Sequence, residues 1–526
     1  MNRRLPRTPL VRWLNKLPSK TWSRRDFLKI SAQGAVSLAA ITNFPACTKR
    51  RGLLHAAPPL QSRDPIAIIG GGVAGLTLAY RLRQRGIASE IFEADSTRLG
   101  GRIHTSWNFN AAGQFVELGA EFVDTSHRDL RQLAEELEMD VVSIIDDDKG
   151  LENFVFAYHG QLYREKDILN ALPSFLAYME EDQADLVTPG DEEWTEKAFR
   201  LDRTSLKDYL SRLKGVDAWL RELFEVAYVN EFGLDAVQQS ALNLLTCYNP
   251  KYVDEFHPFG DSDESWRIRG GNSRLTGKLA EVLERHGVSI HLGHALTRIQ
   301  QKSGGELTLD FARSHGSTHT GSYSQVVLAL PYSVLRKVEG VQALSLSPIK
   351  KRAIQSLGYG TNRKWMLGFK DRPWRTRDKM AGNFVTSARS QQFWETSRGQ
   401  PGEAGIMTNF LGGSNGISGK KFLLDQALKD LSEFSSATAA AHTGEKISWP
   451  WPEHLLSQGS YSCAKVGQLT TIFDDLGKTE LSGRLQFIGE HVSENSQGFM
   501  NGAIESANRA ADEIAGKFRE FRKSGT

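Results

Sequence analysis

Three glycines near position 70 have the spacing needed to hold a phosphate at the end of a strand. Gly70 lets the chain turn sharply after the apolar run Ile66–Ile69, and Gly72 lets a pyrophosphate approach the backbone. Gly75 lets the following helix pack close to the strand, and the helix start presents free N–H groups and the positive end of its dipole. Glu93, 23 residues beyond Gly70, can accept hydrogen bonds from ribose hydroxyls. Strand, glycine turn, helix, strand and acid together predict a dinucleotide-binding unit.

Size and charge narrow the classes of protein that this chain can represent. The 526 residues are enough for two or three domains. The first 51 residues hold 12 Lys/Arg and one acid, and the remainder holds 53 basic and 61 acidic residues, a net charge of −8. An acidic body argues against a nucleic-acid partner. The count of only three cysteines excludes a disulfide scaffold, and the absence of a C-x-x-C pair argues against a zinc or iron–sulfur site.

The amino terminus has the pattern of an export signal. Ser23–Lys29 reads SRRDFLK, which matches the twin-arginine motif at every fixed position, and the moderately apolar run Ile30–Phe44 follows it. We therefore predict a bacterial twin-arginine signal over residues 1–51, a linker over 52–63, and a periplasmic or secreted mature protein without a transmembrane segment. This route carries folded cargo, which suits a protein that folds around a nucleotide. Lipidation of Cys47 stays open as an alternative.

The rest of the chain returns repeatedly to the sheet that begins at Ile66–Ile69. Gln325–Leu330 is an apolar run of the kind that a strand buried on both faces shows, and Leu485–Ile488 predicts a further strand. Residues 142–265 show frequent helical periods and predict a helix-rich insertion. Other expected segments are helices at Ile168–Met179, Trp194–Leu201 and Leu206–Tyr228, strands at Val288–Leu292 and Ala295–Ile299, and loops at Leu411–Gly419 and Ser435–Gly444.

Several motifs, taken in order, resemble the flavin-containing amine oxidases, a family that includes monoamine, polyamine and L-amino-acid oxidases. They span Ile66 to about Ala515 and read GGGVAGL, FEA around Glu93, LGGR, VELGAEF, VVLALP, WPWP with GSYS, and FIGEHVSENSQGFMNGAIESANRAA. The resemblance implies an α/β fold with a discontinuous Rossmann-like FAD domain and an α+β substrate domain made of a mixed sheet and the helical insertion. The expected segments are 64–141, 266–352 and 454–515 for FAD, and 142–265 and 353–453 for substrate.

The same resemblance implies roles for individual residues. Lys364 would hold a water beside the reactive nitrogen of the flavin, and the rings of Tyr461 and Phe499 would face the substrate. Some family members carry a cysteine that bonds to the flavin where this chain has Ser460, so we predict non-covalent FAD. The predicted cofactor contacts are Gly70, Gly72, Ala74, Gly75, Glu93, Gly101, Arg102, Gly119, Ala120, Leu296, Gly489, Glu490 and Met500.

The implied reaction is oxidation of a C–N bond. An amine would become an imine that water hydrolyses to a carbonyl compound, and oxygen would be reduced to hydrogen peroxide. Phe122 stands where one type of L-amino-acid oxidase carries a carboxylate-binding arginine, which favours an amine or polyamine. An L-amino-acid oxidase or a monooxygenase of the tryptophan 2-monooxygenase type remains open. So do an FAD desaturase or porphyrinogen-type oxidase, a non-catalytic flavoprotein, and the oligomeric state, for which a dimer is one option.

Overall fold

The structure is a computed structural model that describes residues 64–188, 193–314, 316–418 and 424–524. The predicted signal, the linker and Cys47 lie outside these residues, so the expectations for them stay predictions. None of the helices in the described ranges is long and apolar enough to cross a bilayer.

Strands and helices alternate along most of the described chain. The strands are β1 Ile66–Ile69, β2 Ser89–Phe92, β3 Thr105–Ser106, β4 Val116–Glu117, β5 Val141–Ser143, β6 Glu152–Tyr158, β7 Gln161–Arg164, β8 Trp266–Ile268, β9 Ser289–His291, β10 His294–Gln301, β11 Leu307–Arg313, β12 Thr318–Tyr323, β13 Val326–Leu328, β14 Gly358–Tyr359, β15 Arg363–Phe369, β16 Met380–Thr386, β17 Gln392–Glu395, β18 Gly405–Leu411, β19 His442–Pro450, β20 Ser462–Cys463 and β21 Leu485–Phe487. The helices are α1 Val73–Gln84, α2 Arg128–Glu136, α3 Glu165–Gln183, α4 Glu196–Asp202, α5 Leu206–Ser211, α6 Ala218–Phe232, α7 Ala241–Cys247, α8 Ser273–Arg285, α9 Tyr332–Leu335, α10 Pro348–Ser356, α11 Pro373–Thr376, α12 Gly413–Ser418, α13 Leu424–Phe434, α14 Ser436–Ala440 and α15 Met500–Ser524.

A five-stranded parallel sheet in the order β21-β13-β1-β2-β9 forms the centre of the first half of the molecule. Strand β1 is buried along its whole length because both faces are covered. Its residues Ile66 and Ile68 pack with α1, α8 and α15, while Ala67 and Ile69 pack with the antiparallel sheet β10-β11-β12. The predicted return of the chain to this sheet at β13 and β21 is therefore confirmed.

A seven-stranded mixed sheet in the order β19-β15-β18-β17-β16-β6-β7 forms the second half. All neighbours pair antiparallel except β6 and β16, which are parallel. On one face Leu367, Phe369 and Phe384 pack against Leu431 and Phe434 of α13. With the five-stranded sheet, this architecture confirms the predicted fold class, an α/β fold with a mixed-sheet second half and a helical insertion.

Helices α3 to α7 pack together around a separate apolar core that includes Phe175, Phe224 and Tyr248. Residues 142–265 are thus rich in helix, but they also supply β5, β6 and β7. The expected helix over Leu206–Tyr228 is two helices, α5 and α6, which residues 212–217 separate. The loops expected at Leu411–Gly419 and Ser435–Gly444 were wrong, because α12, α14 and the start of β19 lie there. The proposed domain boundaries stay a prediction.

Candidate active site

A cavity of about 1180 Å³ runs from the carboxyl ends of the parallel strands to the inner face of the seven-stranded sheet. Ligands of open α/β sheets bind at those strand ends. The volume exceeds the usual range for a drug-sized ligand, so the cavity has room for a large cofactor and a small substrate. All predicted site residues line it except Gly75.

The glycine turn at the end of β1 has the shape of a phosphate cradle. Gly70 has φ +114°, a backbone conformation that favours glycine, and a Cβ there would lie 2.8 Å from the Ala329 carbonyl oxygen. A Cβ on Gly72 would meet no atom within 4 Å, since that position faces open space in the cavity. Ala74 lies in the first turn of α1 and also lines the cavity. The first N–H groups of α1 have no helical partner and can bind a diphosphate here.

Gly75 has a different role from the one assigned to it among the cofactor contacts. A Cβ at this position would lie 2.0 Å from the Gly70 carbonyl oxygen. The missing side chain therefore permits close packing of α1 against β1, as the motif requires, but Gly75 does not face the cavity. Its assignment as a cofactor contact stays a prediction.

Glu93 follows β2 and is fixed by two backbone groups. Its Oε2 accepts a hydrogen bond from Gly71 N at 2.7 Å, and its Oε1 accepts one from Asp95 N at 2.8 Å. Burial raises the pKa of Glu93, and these two hydrogen bonds oppose the increase. The carboxylate keeps further lone pairs toward the cavity, where a ribose hydroxyl can donate to them.

Arg102 and Glu490 join two distant parts of the cradle. Arg102 Nη1 donates to Glu490 Oε1 and to the Ser460 carbonyl oxygen, both at 2.8 Å. Glu490 also accepts hydrogen bonds from Ser462 Oγ at 2.7 Å and Gly498 N at 3.0 Å. Burial acts to raise the pKa of Glu490, but Arg102 and the hydrogen bonds outweigh it and hold that pKa below its usual value. An ionised carboxylate is thus held at the end of β21.

The other predicted cofactor contacts lie along the same wall. Gly119 has no room for a side chain, because a Cβ would lie 1.9 Å from the Arg102 carbonyl oxygen and 2.9 Å from the Trp451 ring. The remaining predicted contacts all line the cavity and come from five segments of the chain: Gly101, Ala120, Leu296, Gly489 and Met500. The cradle is therefore assembled from strand ends and glycine turns, and it fits a dinucleotide.

Lys364, the first predicted catalytic residue, is buried on β15 at the far end of the cavity. Its Nζ donates to Glu121 Oε2 and the Gly119 carbonyl oxygen, both at 2.8 Å, and to the Glu117 carbonyl oxygen at 3.2 Å. It also lies 5.2 Å from the ring centre of Trp394. The lysine faces the cavity as the sequence predicted, and its assignment to a bound water stays a prediction.

Tyr461 and Phe499 both line the cavity. The Tyr461 hydroxyl donates to the Asn230 carbonyl oxygen at 3.0 Å, and burial, followed by the nearby Glu231, raises its pKa well above the usual value. The Phe499 ring packs on His127 with 5.0 Å between ring centres. Each ring is therefore held by a neighbouring residue of the cavity wall, and the neutral phenol cannot serve as a base near neutral pH.

Asp124, Glu231 and Glu264 line the end of the cavity near Tyr461, which we call the chamber. The sequence did not predict a role for these three carboxylates. Burial, together with Glu231 and Asp124, raises the pKa of Glu264 to about 8, and burial together with Asp124 raises that of Glu231 to about 7. Burial raises the pKa of Asp124 to about 6 although Glu264 N donates to its Oδ1 at 2.9 Å. Glu264 has φ +46°, an unfavourable conformation of the kind that clusters at functional sites. No local motif marks these residues, which come from three separate segments.

Aromatic rings form the rest of the chamber wall. Trp394 lies 5.6 Å from Phe122 and 5.1 Å from Phe410, measured between ring centres. Arg398 approaches the Phe122 ring at 5.8 Å, but it does not line the cavity and is paired with Asp148 at 3.3 Å. The chamber therefore combines apolar rings with acidic groups.

A parallel sheet with a glycine turn, an acid after its second strand and a cavity leading to an aromatic chamber define a dinucleotide-dependent oxidoreductase. The profile of the family described as "Flavin containing amine oxidoreductase" matches residues 73–515. This chain belongs to that family. It is a flavin-containing amine oxidoreductase, and a flavin cofactor and a small amine or amino acid as substrate follow from membership.

Individual relatives are distant but similar over nearly their full lengths. An L-amino-acid oxidase of Siganus canaliculatus is 24% identical over 514 residues, covering 91% of this chain and 92% of the relative. A pseudooxynicotine dehydrogenase of Pseudomonas sp is 25% identical over 531 residues, covering 94% and 95%. The cyclohexylamine oxidase of Brevibacterium oxydans IH-35A has a similar structure, with a TM-score of 0.73 at 17% identity over 87% of this chain and 99% of that one.

Proposed function

We propose that this enzyme binds FAD non-covalently and oxidises a cationic amine, a class that includes diamines and polyamines, to an imine and then a carbonyl compound. The observation that supports the substrate class is the acidic chamber around Asp124, Glu231 and Glu264. When ionised, three carboxylates at one end of the cavity attract a cation and repel the carboxylate of an amino acid.

Non-covalent attachment of the cofactor is supported by the side chain at position 460. Ser460 stands where a cysteine would be needed for a thioether, and its Oγ donates to Asn362 Oδ1 at 2.5 Å. The nucleotide would be held by the first turn of α1, by Glu93 at the ribose and by the Arg102–Glu490 pair. When bound, FAD supplies the acceptor for a hydride equivalent from the substrate carbon.

The protein orients the substrate and accepts one proton from its ammonium group. Tyr461 and Phe499 provide flat apolar walls, and ring faces attract a cation as it enters. An ammonium must lose a proton before its carbon can give up hydride. Burial raises the pKa values of Glu231 and Glu264 to about 7 and about 8, so each carboxyl becomes ionised, and able to accept that proton, as the pH rises through its pKa. Oxygen is the proposed electron acceptor, with hydrogen peroxide as product.

An amino-acid substrate is the runner-up. It would need a cation to bind its carboxylate, and Phe122 occupies the position of the arginine that serves this purpose in one group of relatives. Arg398 lies behind that ring, but Asp148 already pairs with it. An L-amino-acid oxidase or monooxygenase activity is therefore the second proposal, and a desaturase the third.

The location of the protein is proposed from the sequence alone. Export by the twin-arginine route to the periplasm or outside the cell rests on residues 23–29, with lipidation of Cys47 as the alternative. The domain division at residues 142, 266, 353 and 454 and a dimeric state are proposals of the same kind.

One substrate panel tests the function. The purified protein should be yellow, release FAD on denaturation and lose its flavin absorbance anaerobically when a diamine is added. Admission of oxygen should restore the colour with formation of peroxide. Bleaching by amino acids alone would favour the runner-up, and an oxidised flavin with every amine and amino acid would refute both.

A further inference from the structure

The Lys364 ammonium has a protein acceptor within hydrogen-bond distance for each of its three N–H groups. An ammonium has three donors, and three acceptors lie within hydrogen-bond distance of this one: Glu121 Oε2, Gly119 O and Glu117 O. The side chains of Lys364 and Glu121 are 5% and 2% exposed, so solvent does not compete for either group. The charge of Lys364 is thus matched by an adjacent buried carboxylate.

Glu121 is itself held in one orientation. Its Oε1 accepts a hydrogen bond from Thr396 Oγ1 at 3.1 Å, and Thr396 Oγ1 also lies 2.5 Å from Thr408 Oγ1. Thr396 follows β17 and Thr408 lies on β18, so the inner face of the seven-stranded sheet fixes the carboxylate. Opposite it, the Trp394 ring lies 5.2 Å from the lysine nitrogen. The Lys364 side chain is therefore held in one orientation by the seven-stranded sheet and by the backbone at Gly119.

We propose that Glu121 is a positioning residue that neutralises and orients Lys364, and so limits how strongly the lysine charge acts on the flavin. The inference rests on the proposed FAD site, since Glu121, Lys364, Gly119 and Ala120 line the same stretch of cavity wall. Reduction places negative charge on a flavin. A free cation at this wall would favour the reduced form, whereas a closed ion pair has little net effect.

The test is the midpoint potential of bound flavin in a double-mutant cycle, measured by dye equilibration without any amine. Glu121→Gln keeps the shape and removes the negative charge, so the potential should become more positive. Lys364→Met removes the positive charge, so the potential should become more negative. The double variant should return close to the native value because both charges are gone.

Opposite signs in the single variants distinguish this role from a structural one, which would move both potentials in the same direction. Equal signs, or no change in either variant, would overturn the proposal. Because removal of one partner of a buried pair is destabilising, Glu121→Asp serves if Glu121→Gln does not retain flavin. Its charge is kept but withdrawn by one methylene, so a smaller positive change is expected, and an unchanged potential there would also count against the role.

The outcome is independent of the substrate. A protein that binds flavin and shows the predicted cycle but oxidises no amine would refute the proposed function and leave the role of Glu121 standing. A protein that oxidises diamines with unchanged potentials would do the reverse. Reoxidation by oxygen, which takes two electrons and two protons to give hydrogen peroxide, should be faster in Glu121→Gln and slower in Lys364→Met.

Discussion

The two ends of the cavity are lined by different kinds of groups. At the nucleotide end, the lining consists largely of backbone groups and glycines, as the turn at Gly70 and Gly72 shows. At the chamber end, rings and carboxylates from distant segments meet, as Glu231 and Glu264 do. The first end follows from a short stretch of sequence, while the second exists only after the chain has folded. Substitutions should therefore act on folding and cofactor binding at one end and on substrate choice at the other.

Within the nucleotide end, Gly75 and Gly72 should respond differently to substitution, because only Gly75 is packed against other backbone atoms. Gly75→Ala puts a Cβ about 2.0 Å from the Gly70 carbonyl oxygen, so α1 must move away from β1. We expect a loss of roughly 2–4 kcal/mol in the free energy of unfolding, and no retained flavin. Thermal denaturation and flavin absorbance measure the two effects.

Gly72→Ala is the matched control, because a Cβ there meets no atom within 4 Å and the residue has φ −73°. The melting temperature of its apoprotein should stay native while FAD affinity falls by about tenfold or more, as the methyl group occupies the space of the diphosphate. Equal destabilisation of both variants would contradict the expected difference.

At the chamber end, and at pH 8 or above where a carboxyl with a pKa of about 8 is substantially ionised, Glu264→Gln should leave FAD bound and reduce kcat/KM for a diamine by about 10–100-fold, through loss of one buried charge at the cation site. The carboxylate pKa values raised to about 7 and about 8 predict that kcat/KM of the native enzyme rises between pH 6 and pH 8. The variant should show a flatter profile. A native profile in Glu264→Gln would remove this residue from the site.

The same substitution should make the protein more stable at high pH. The pKa of Glu264 is raised in the folded state, so the native protein binds more protons than the unfolded chain between about pH 4.5 and pH 8, and stability falls as pH rises through this window. Glu264→Gln removes that dependence. We expect it to exceed the native protein in stability by roughly 1–4 kcal/mol at pH 8 and by little at pH 4.5, measured by urea denaturation. A stability difference independent of pH would exclude this origin.

Phe499→Tyr should have the smallest effect. The ring face is kept and a hydroxyl is added next to His127, so kcat/KM should change by no more than about threefold, with FAD binding unaltered. Phe499→Ala provides the contrast, because it removes the wall and should raise KM for every amine tested. A large loss in the tyrosine variant would mean that the His127 side of the ring has no room.

Sequence reasoning succeeded where function is local. The turn at Gly70 and the acid at Glu93 follow from one supersecondary unit of about 30 residues, whose physical requirements are fixed by the phosphate. Lys364, Tyr461 and Phe499 could be assigned only through resemblance to a family, since nothing in their own neighbourhoods indicates a shared cavity.

The acidic chamber could not be predicted because its members are related only by tertiary packing. Glu231 is the last residue but one of α6, and Glu264 lies in a loop before β8, 33 positions later. A charged residue in either place is usually a surface residue. The reason is similar at Gly75, since a motif fixes which glycines are needed but not which of them line the cavity.

The segment between β7 and β8 connects two sheets. It begins after an edge strand of the seven-stranded sheet and ends at the strand that pairs with β5. It supplies Glu231 and Glu264, while the turn at Gly70 and the Arg102–Glu490 pair belong to other parts of the chain. One contiguous stretch, residues 165–265, therefore supplies both carboxylates, and none of the predicted cofactor contacts lies in it. Exchange of this stretch at its two junctions is a route to chimaeric enzymes with new amine preferences, and such a design must keep the contact from Asn230 to Tyr461.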